Sequence, residues 1–239
     1  MTIQQIIENI RLDLNQLGDE TVRQSSQRFF KSDQTIYFYG VKSPDVKTLI
    51  KKYKKQVLAL SKKEIFELCE ELLKTNYLEE ASIACAFTAS ISKQFIPTDF
   101  KILEKWINLY ITNWAACDTL CNHTVGDFIM MYPEFIPELK KWTNSPNRWM
   151  KRAAAVTLII PARKGLFLDD IFEIANSLIT DADDMVQKGY GWMLKAASQA
   201  YPNEVFQYVL SQKEIMPRTA YRYAIEKLSK EQKVVAMQK

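Results

Sequence analysis

Along this chain apolar residues recur at intervals of three and four, with almost no alternation at intervals of two, so the pattern predicts amphipathic helices. Local chemistry marks where they begin. Ser43-Pro44 sets a hydroxyl before a proline suited to the first helical position, ahead of DVKTLIKKYKKQV. Ser61 with Glu64 makes a capping box before IFELCEELL. Pro97-Thr98 opens DFKILEKWINLYI, and Asn113 is placed to cap a helix beginning at Trp114. Pro133, Ser145-Pro146, Asp169-Asp170, Asp181 to Asp184, Pro202 and Pro217 mark further starts, about 12 to 20 residues apart with short connections. The stretch Thr35 to Tyr39 (TIYFY) is the one candidate for a short strand, and we read it as an extended loop.

A longer period lies above the helical one. The segments EEASIACAF from Glu79, AACDTLCNH from Ala115, KRAAAVTLI from Lys151, QKGYGWMLK from Gln187 and YRYAIEKL from Tyr221 can be superposed, at steps of 36, 36, 36 and 34 residues. Each has small residues near its start, which let neighbouring helices approach, and apolar residues after them. A helical unit repeated at this length is the signature of an α-solenoid, with a plain helical bundle as the competing arrangement. The expected fold is therefore all-α: HEAT-like helical repeats stacked into an α-α superhelix, a single domain over 1–239, with one helix of each pair lining a concave groove. One position of the repeat reads Arg152, Lys188 and Arg222. Stacked pairs would space these cations about 10 Å apart, which suits a phosphate backbone, and the plainer alternative is that they solvate an outer face.

Composition narrows the function classes. Hydrophobic residues are 47% of the 239 and charged residues 25%, as in ordinary globular proteins, while six glycines and eight prolines are few for a β or Rossmann fold. No apolar run is long enough to span a bilayer, and MTIQQIIENIRLDLNQL is amphipathic and carries acids, unlike a signal or transit peptide, so a cytoplasmic location is expected. Four cysteines make no disulfide framework, and with one histidine a zinc site would lack its usual ligands, so buried reduced thiols and no metal are expected. The net charge of +4 decides little, and the placement of the charges has to decide.

Walker, GxGxxG and HExxH motifs are missing, and the acidic run DADDM lacks the spacing of an EF-hand and suits helix capping better. NWAACD, from Asn113, is more informative. Trp114 and Asp118 are four apart, hence one turn apart on one helix face, beside the stripe Leu120, Cys121, Val125, Phe128 and Ile129. A carboxylate at the edge of an apolar stripe costs several kcal/mol unless compensated. It either caps or pairs with a neighbouring helix, or it stands beside an aromatic wall to meet a positively charged ligand or transition state.

Three segments together, NWAACD, SPNRWMKRAAAV from Ser145 and DMVQKGYGWMLKAAS from Asp184, resemble the AlkD family of alkylpurine DNA glycosylases, and the similarity runs from about the second helix to Tyr208. The resemblance implies that Trp114, Asp118 and Trp192 face the lesion and that Arg152 holds a nearby phosphate. Family members also present an N-terminal tyrosine to DNA. Phe29 stands in its place, keeping the ring and losing the hydroxyl; with Phe29, and with Lys188 and Arg222 from the repeat register, Arg152 makes up the expected DNA-binding set. The implied activity is excision of cationic N3- or N7-alkylpurines from duplex DNA by a monomer, with no cofactor, no metal and no membrane. The alternative is a family paralogue without glycosylase activity that binds branched or distorted DNA.

Overall fold

The computed structural model describes residues 2–31, 34 and 36–238, and among them the regular structure is helical apart from one isolated bridge between Tyr37 and Tyr77. The chain forms two compact units, Met1–Leu120 and Cys121–Lys239. The boundary falls inside an uninterrupted helical run, because the π-helical turns of Leu120–Val125 join the helix before them to the helix after.

The first unit contains α1 (Ile3–Leu17), α2 (Glu20–Gln27), α3 (Ser43–Val57), α4 (Lys62–Leu73), α5 (Leu78–Ser90), α6 (Phe100–Tyr110) and α7 (Trp114–Thr119). Thr2 with Gln5 and Ser61 with Glu64 close capping boxes on α1 and α4, so each helix starts where side chains satisfy its orphan N–H groups. At α3 the expected Ser43 cap is replaced: Lys42 is the cap residue, with no side-chain hydrogen bond, and Ser43 is already helical. Pro44 explains why little is lost, since one of the first-turn N–H groups needing a partner is absent. The helix expected from Pro97 begins at Phe100, after a 3₁₀ turn over Pro97–Asp99. Helix α3 packs on α1 and α5, α4 packs on α1, α5 and α6, and α5 packs on α7. Ile10, Leu14, Val57, Leu68, Leu72, Ala84 and Trp106 form the centre of that core.

The second unit contains α8 (Gly126–Met131), α9 (Ile136–Trp142), α10 (Arg148–Val156), α11 (Ile159–Arg163), α12 (Leu168–Leu178), α13 (Asp184–Ala197), α14 (Pro202–Ser211), α15 (Arg218–Ala224) and α16 (Lys230–Met237). Helix α13 is its hub, packing on α10, α11, α12, α14 and α15. Two glycines allow this. A Cβ on Gly191 would lie 2.8 Å from the Ala220 carbonyl oxygen of α15, and one on Gly189 would lie 3.3 Å from Cγ of Arg152 on α10.

The repeat expected from the sequence is present. Helices α5, α7, α10, α13 and α15 start at 78, 114, 148, 184 and 218, steps of 36, 34, 36 and 34, each preceded by the second helix of its pair. The fold is an all-α helical-repeat fold, as the pattern predicts. The stretch through Tyr39 is an extended loop, although its first residue, Thr35, lies outside the described residues. Its strand character is confined to Tyr37, whose N–H donates to the Asn76 carbonyl and whose carbonyl accepts from Leu78 N–H. All four cysteines are buried thiols, and burial pushes Cys69 up to about 12. Among the described residues no helix is long and apolar enough to cross a membrane.

Candidate functional site

Helix α7 is built as the motif requires. Asn113 is extended (φ −150°, ψ 161°), and its side-chain oxygen accepts from Ala116 N–H at 2.9 Å, which starts the helix at Trp114. Trp114 and Asp118 then stand one turn apart, both half-buried, while Cys117, Leu120, Cys121, Val125, Phe128 and Ile129 are fully buried. The apolar stripe is therefore core, and the Trp–Asp pair lies at its margin. Directly after Asp118 the backbone passes into the π-helix of Leu120–Val125, a widened turn that recurs at functional sites.

The segment after α2 reaches Trp114. The Phe30 ring stacks on the indole with centroids 5.5 Å apart and planes 19° off parallel, and Phe38 tilts against Phe30, also at 5.5 Å. The indole Nε1–H donates to the Phe29 carbonyl at 3.4 Å. The Phe29 side chain is 75% exposed, which leaves its ring free for a bound molecule.

A pair of buried carboxylates at the start of α5 holds the residues that follow Phe38. Glu79 Oε1 accepts from Gly40 and Val41 N–H at 2.9 and 3.1 Å, and Oε2 accepts from Tyr39 N–H at 3.2 Å. Glu80, with no exposed surface, accepts from the Arg11 guanidinium (3.1 Å), the Tyr39 hydroxyl (2.7 Å) and the Thr75 hydroxyl (3.2 Å). Burial and the hydrogen bond to Glu80 hold the Tyr39 phenol protonated well above its ordinary range. The backbone of Tyr39 to Val41, next to the Phe38 ring, is thus fixed.

In the second unit, Asn147 caps α10 by accepting from Trp149 N–H at 2.9 Å, two residues after the expected Ser145 start. Arg152, expected on a DNA phosphate, is 5% exposed and gives Nη1–H to the Met185 carbonyl of α13. Lys188 is half-buried and pairs with Asp184 at 3.2 Å, Trp192 is half-buried on the same helix, and Arg222 on α15 is exposed. The acidic run is a cap, as expected: Asp183 accepts from Met185 and Val186 N–H while binding Arg148, and Asp181 binds Lys151 at 2.7 Å.

Three parts of the site were not read from the sequence. Phe30 was passed over because two adjacent phenylalanines cannot be told apart without knowing which way the turn faces. Glu79 and Glu80 look like first-turn acids that favour a helix dipole, which hides their burial. The π-helix has no sequence signature.

With this geometry in hand, comparisons with known proteins add the following. A family model described as DNA alkylation repair enzyme matches residues 10–228. Among solved structures, the chain is similar to a predicted DNA alkylation repair enzyme from Enterococcus faecalis, at 17% identity and a TM-score of 0.78, over 89% of this chain and 97% of that one. It is also similar to smu.31 from Streptococcus mutans UA159, at 19% identity and a TM-score of 0.57, over 78% of this chain and 98% of the other. None of the curated proteins matches it significantly.

Proposed function

Because the chain belongs to the DNA alkylation repair enzyme family, we propose that it binds duplex DNA and excises cationic N3- or N7-alkylpurines by hydrolysing the N-glycosidic bond. The observation that carries this reading is the pair on α7, an indole and a carboxylate one turn apart at the edge of a closed core, with the indole braced by Phe30. Alkylation makes the purine a cationic leaving group, so the catalyst has to stabilise the oxocarbenium-like sugar left behind. Asp118 supplies the opposing charge and orients the attacking water, and Trp114 and Trp192 offer electron-rich faces to the deoxyribose. Such chemistry draws on no metal or organic cofactor, and one copy of the chain suffices. Phosphate contacts fall to Arg222 and Lys188, with Phe29 against the backbone. Arg152, buried on the Met185 carbonyl, contributes by holding α10 to α13 as much as by any charge it offers DNA.

The test is release of free base from duplex DNA carrying N7- or N3-alkylpurines, in wild type and Asp118→Asn. Asn keeps the size and capping ability of Asp and removes the charge, so thermal stability should change by about 1 kcal/mol or less. Single-turnover release should fall by about 100-fold or more, the loss of about 3 kcal/mol of transition-state stabilisation. An equally active Asn variant would remove Asp118 from the mechanism. The exposed Phe29, with no hydroxyl to give a phosphate, favours a second reading, a module for branched or distorted DNA. Wild-type protein that binds such DNA tightly and releases no base would establish it.

A further inference from the structure

Helix α3 carries five lysines (Lys47, Lys51, Lys52, Lys54 and Lys55) and one acid, Asp45. Removing these from the 32 basic and 28 acidic residues of the chain leaves 27 of each, so the whole net charge of +4 resides on this one helix. The charge is also unspent. In the same unit Lys62 pairs with Asp99, Lys63 with Glu67, Lys74 with Glu71, Lys105 with Glu70 and Arg11 with Glu80. On α3 itself Lys52 pairs with Asp13, while Lys47, Lys51, Lys54 and Lys55 are exposed and no carboxylate of the described residues reaches them. Their spacing of four, seven and eight puts all four on one face, opposite the buried Val46, Leu49, Tyr53 and Val57.

A second observation gives that face a direction. Helix α3 starts 35 residues before α5, so it holds the place of the recurring helix in the first pair. Counted from the helix start, the fifth residue is Lys47 on α3, Ser82 on α5, Asp118 on α7, Arg152 on α10, Lys188 on α13 and Arg222 on α15. One turn further on, Lys51 shares its place with Trp192. Two of the four lysines, Lys47 and Lys51, therefore stand at helix positions that on α7, α10, α13 and α15 carry residues of the proposed site, while α5 carries Ser82 and Ala86 there.

We infer that the lysine face of α3 is a docking surface for the phosphate backbone of duplex DNA flanking the lesion, a contact that sets affinity and does not touch the chemistry. It rests on the DNA-binding half of the proposed function. Helix α3 packs on α5 and α5 on α7. Two interhelix distances of about 8–10 Å place α3 about 20 Å from Trp114, or about six base pairs along the duplex. From Lys47 to Lys55 the helix rises about 12 Å, over which duplex DNA presents about seven phosphate charges. Four unpaired cations meet that density without a carboxylate to displace.

The experiment compares wild type with the quadruple variant Lys47→Gln, Lys51→Gln, Lys54→Gln, Lys55→Gln. A control of equal charge change replaces the exposed Lys93, Lys101, Lys227 and Lys230 by Gln. Affinity for a duplex extending about ten base pairs either side of one N7-alkylpurine is titrated over a series of salt concentrations. Each phosphate contact contributes about 0.9 to the slope of log affinity against log salt. The α3 variant should lose up to about 3.6 from the slope, which is a factor of about 150 between about 50 and 200 mM salt. The control should lose little, and base release from saturating DNA should stay at the wild-type rate in both. Equal slopes in wild type and α3 variant, or equal losses in both variants, overturn the inference while leaving the proposed activity standing. Loss of binding to phosphatidylserine vesicles with DNA binding unchanged would assign the face to a membrane and also overturn it. A salt slope lost in the α3 variant of a protein that releases no base upholds the docking surface and removes the glycosylase reading.

Discussion

The Glu79 carboxylate is 5% exposed and takes three backbone N–H groups from Tyr39, Gly40 and Val41, so both of its oxygens are occupied as acceptors. Glutamine has nearly the same shape, but its amide NH₂ would turn at least one of these contacts into donor against donor. We expect Glu79→Gln to cost about 2 kcal/mol, the penalty of leaving a buried N–H unmatched. The amides of Tyr39 to Val41 should exchange hydrogen faster, and Trp114 fluorescence should shift as Phe30 loosens on it. Unchanged exchange at those amides would show that the loop is held by its aromatic contacts instead. At this scale the sequence was legible where chemistry and spacing coincide, as for Trp114 and Asp118, four apart after a capping asparagine. It was illegible where burial decides, because Glu79 buried on a loop and Glu79 solvated on a first turn are the same letter. Arg152 shows this too: its place in the repeat was readable, and its seat against Met185 was not.

Glycine separates two helix contacts that look alike in sequence. Gly189 and Gly191 are two residues apart on α13 and face different neighbours, α10 and α15. A Cβ at Gly191 meets the Ala220 carbonyl oxygen and Tyr223 Cβ at 2.8 Å and Ala220 Cα at 3.0 Å, mostly backbone that cannot step aside. At Gly189 it meets Arg152 Cγ at 3.3 Å and Val156 Cγ1 at 3.7 Å, side-chain atoms that can shift by tenths of an ångström. Alanine gains about 1 kcal/mol of helix propensity at either position. Gly191→Ala should nevertheless destabilise by about 1–3 kcal/mol through overpacking, whereas Gly189→Ala should fall within about 1 kcal/mol of wild type. Denaturant midpoints of the two variants check this, and equal midpoints would deny that α15 seats on Gly191. The elements themselves were legible from caps and apolar spacing to within a few residues, as at α6 and α10. The π-helix of Leu120–Val125 was not, because its residues read as a continuation of the 3.6-residue pattern around them.

At the scale of the whole molecule, the step of about 36 residues was the most legible feature, since each repeat needs the same small residues for close packing whatever its other side chains do. Charge was legible as a total and not as a distribution, because which cations are cancelled across helices, as Arg11 is by Glu80 and Lys105 by Glu70, depends on the packing. The same cancellation makes stability depend on pH. On α4, Glu70 accepts from Lys105 (2.7 Å), from the buried Trp106 indole N–H (2.9 Å) and from the Tyr110 hydroxyl (3.2 Å), joining α4 to α6. Burial pushes its carboxyl up, but these bonds outweigh it and hold it below its ordinary value of 4.5. Asp13 behaves alike: burial raises it, and the bonds from Lys52 and Tyr53 bring it below 3.8. Because the folded values lie below the unfolded ones, this stability is fully present above about pH 5 and is lost as pH falls through the folded values. Urea midpoints should therefore be flat from neutral pH to about 5 and drop below about 4.5. Glu70→Gln should cost about 2 kcal/mol at neutral pH, where charge-assisted bonds to three donors are lost. It should cost progressively less in acid, where wild-type Glu70 is protonated as well. A gap between wild type and variant that stays constant down to about pH 3 would show that Glu70 acts through shape and not through its charge.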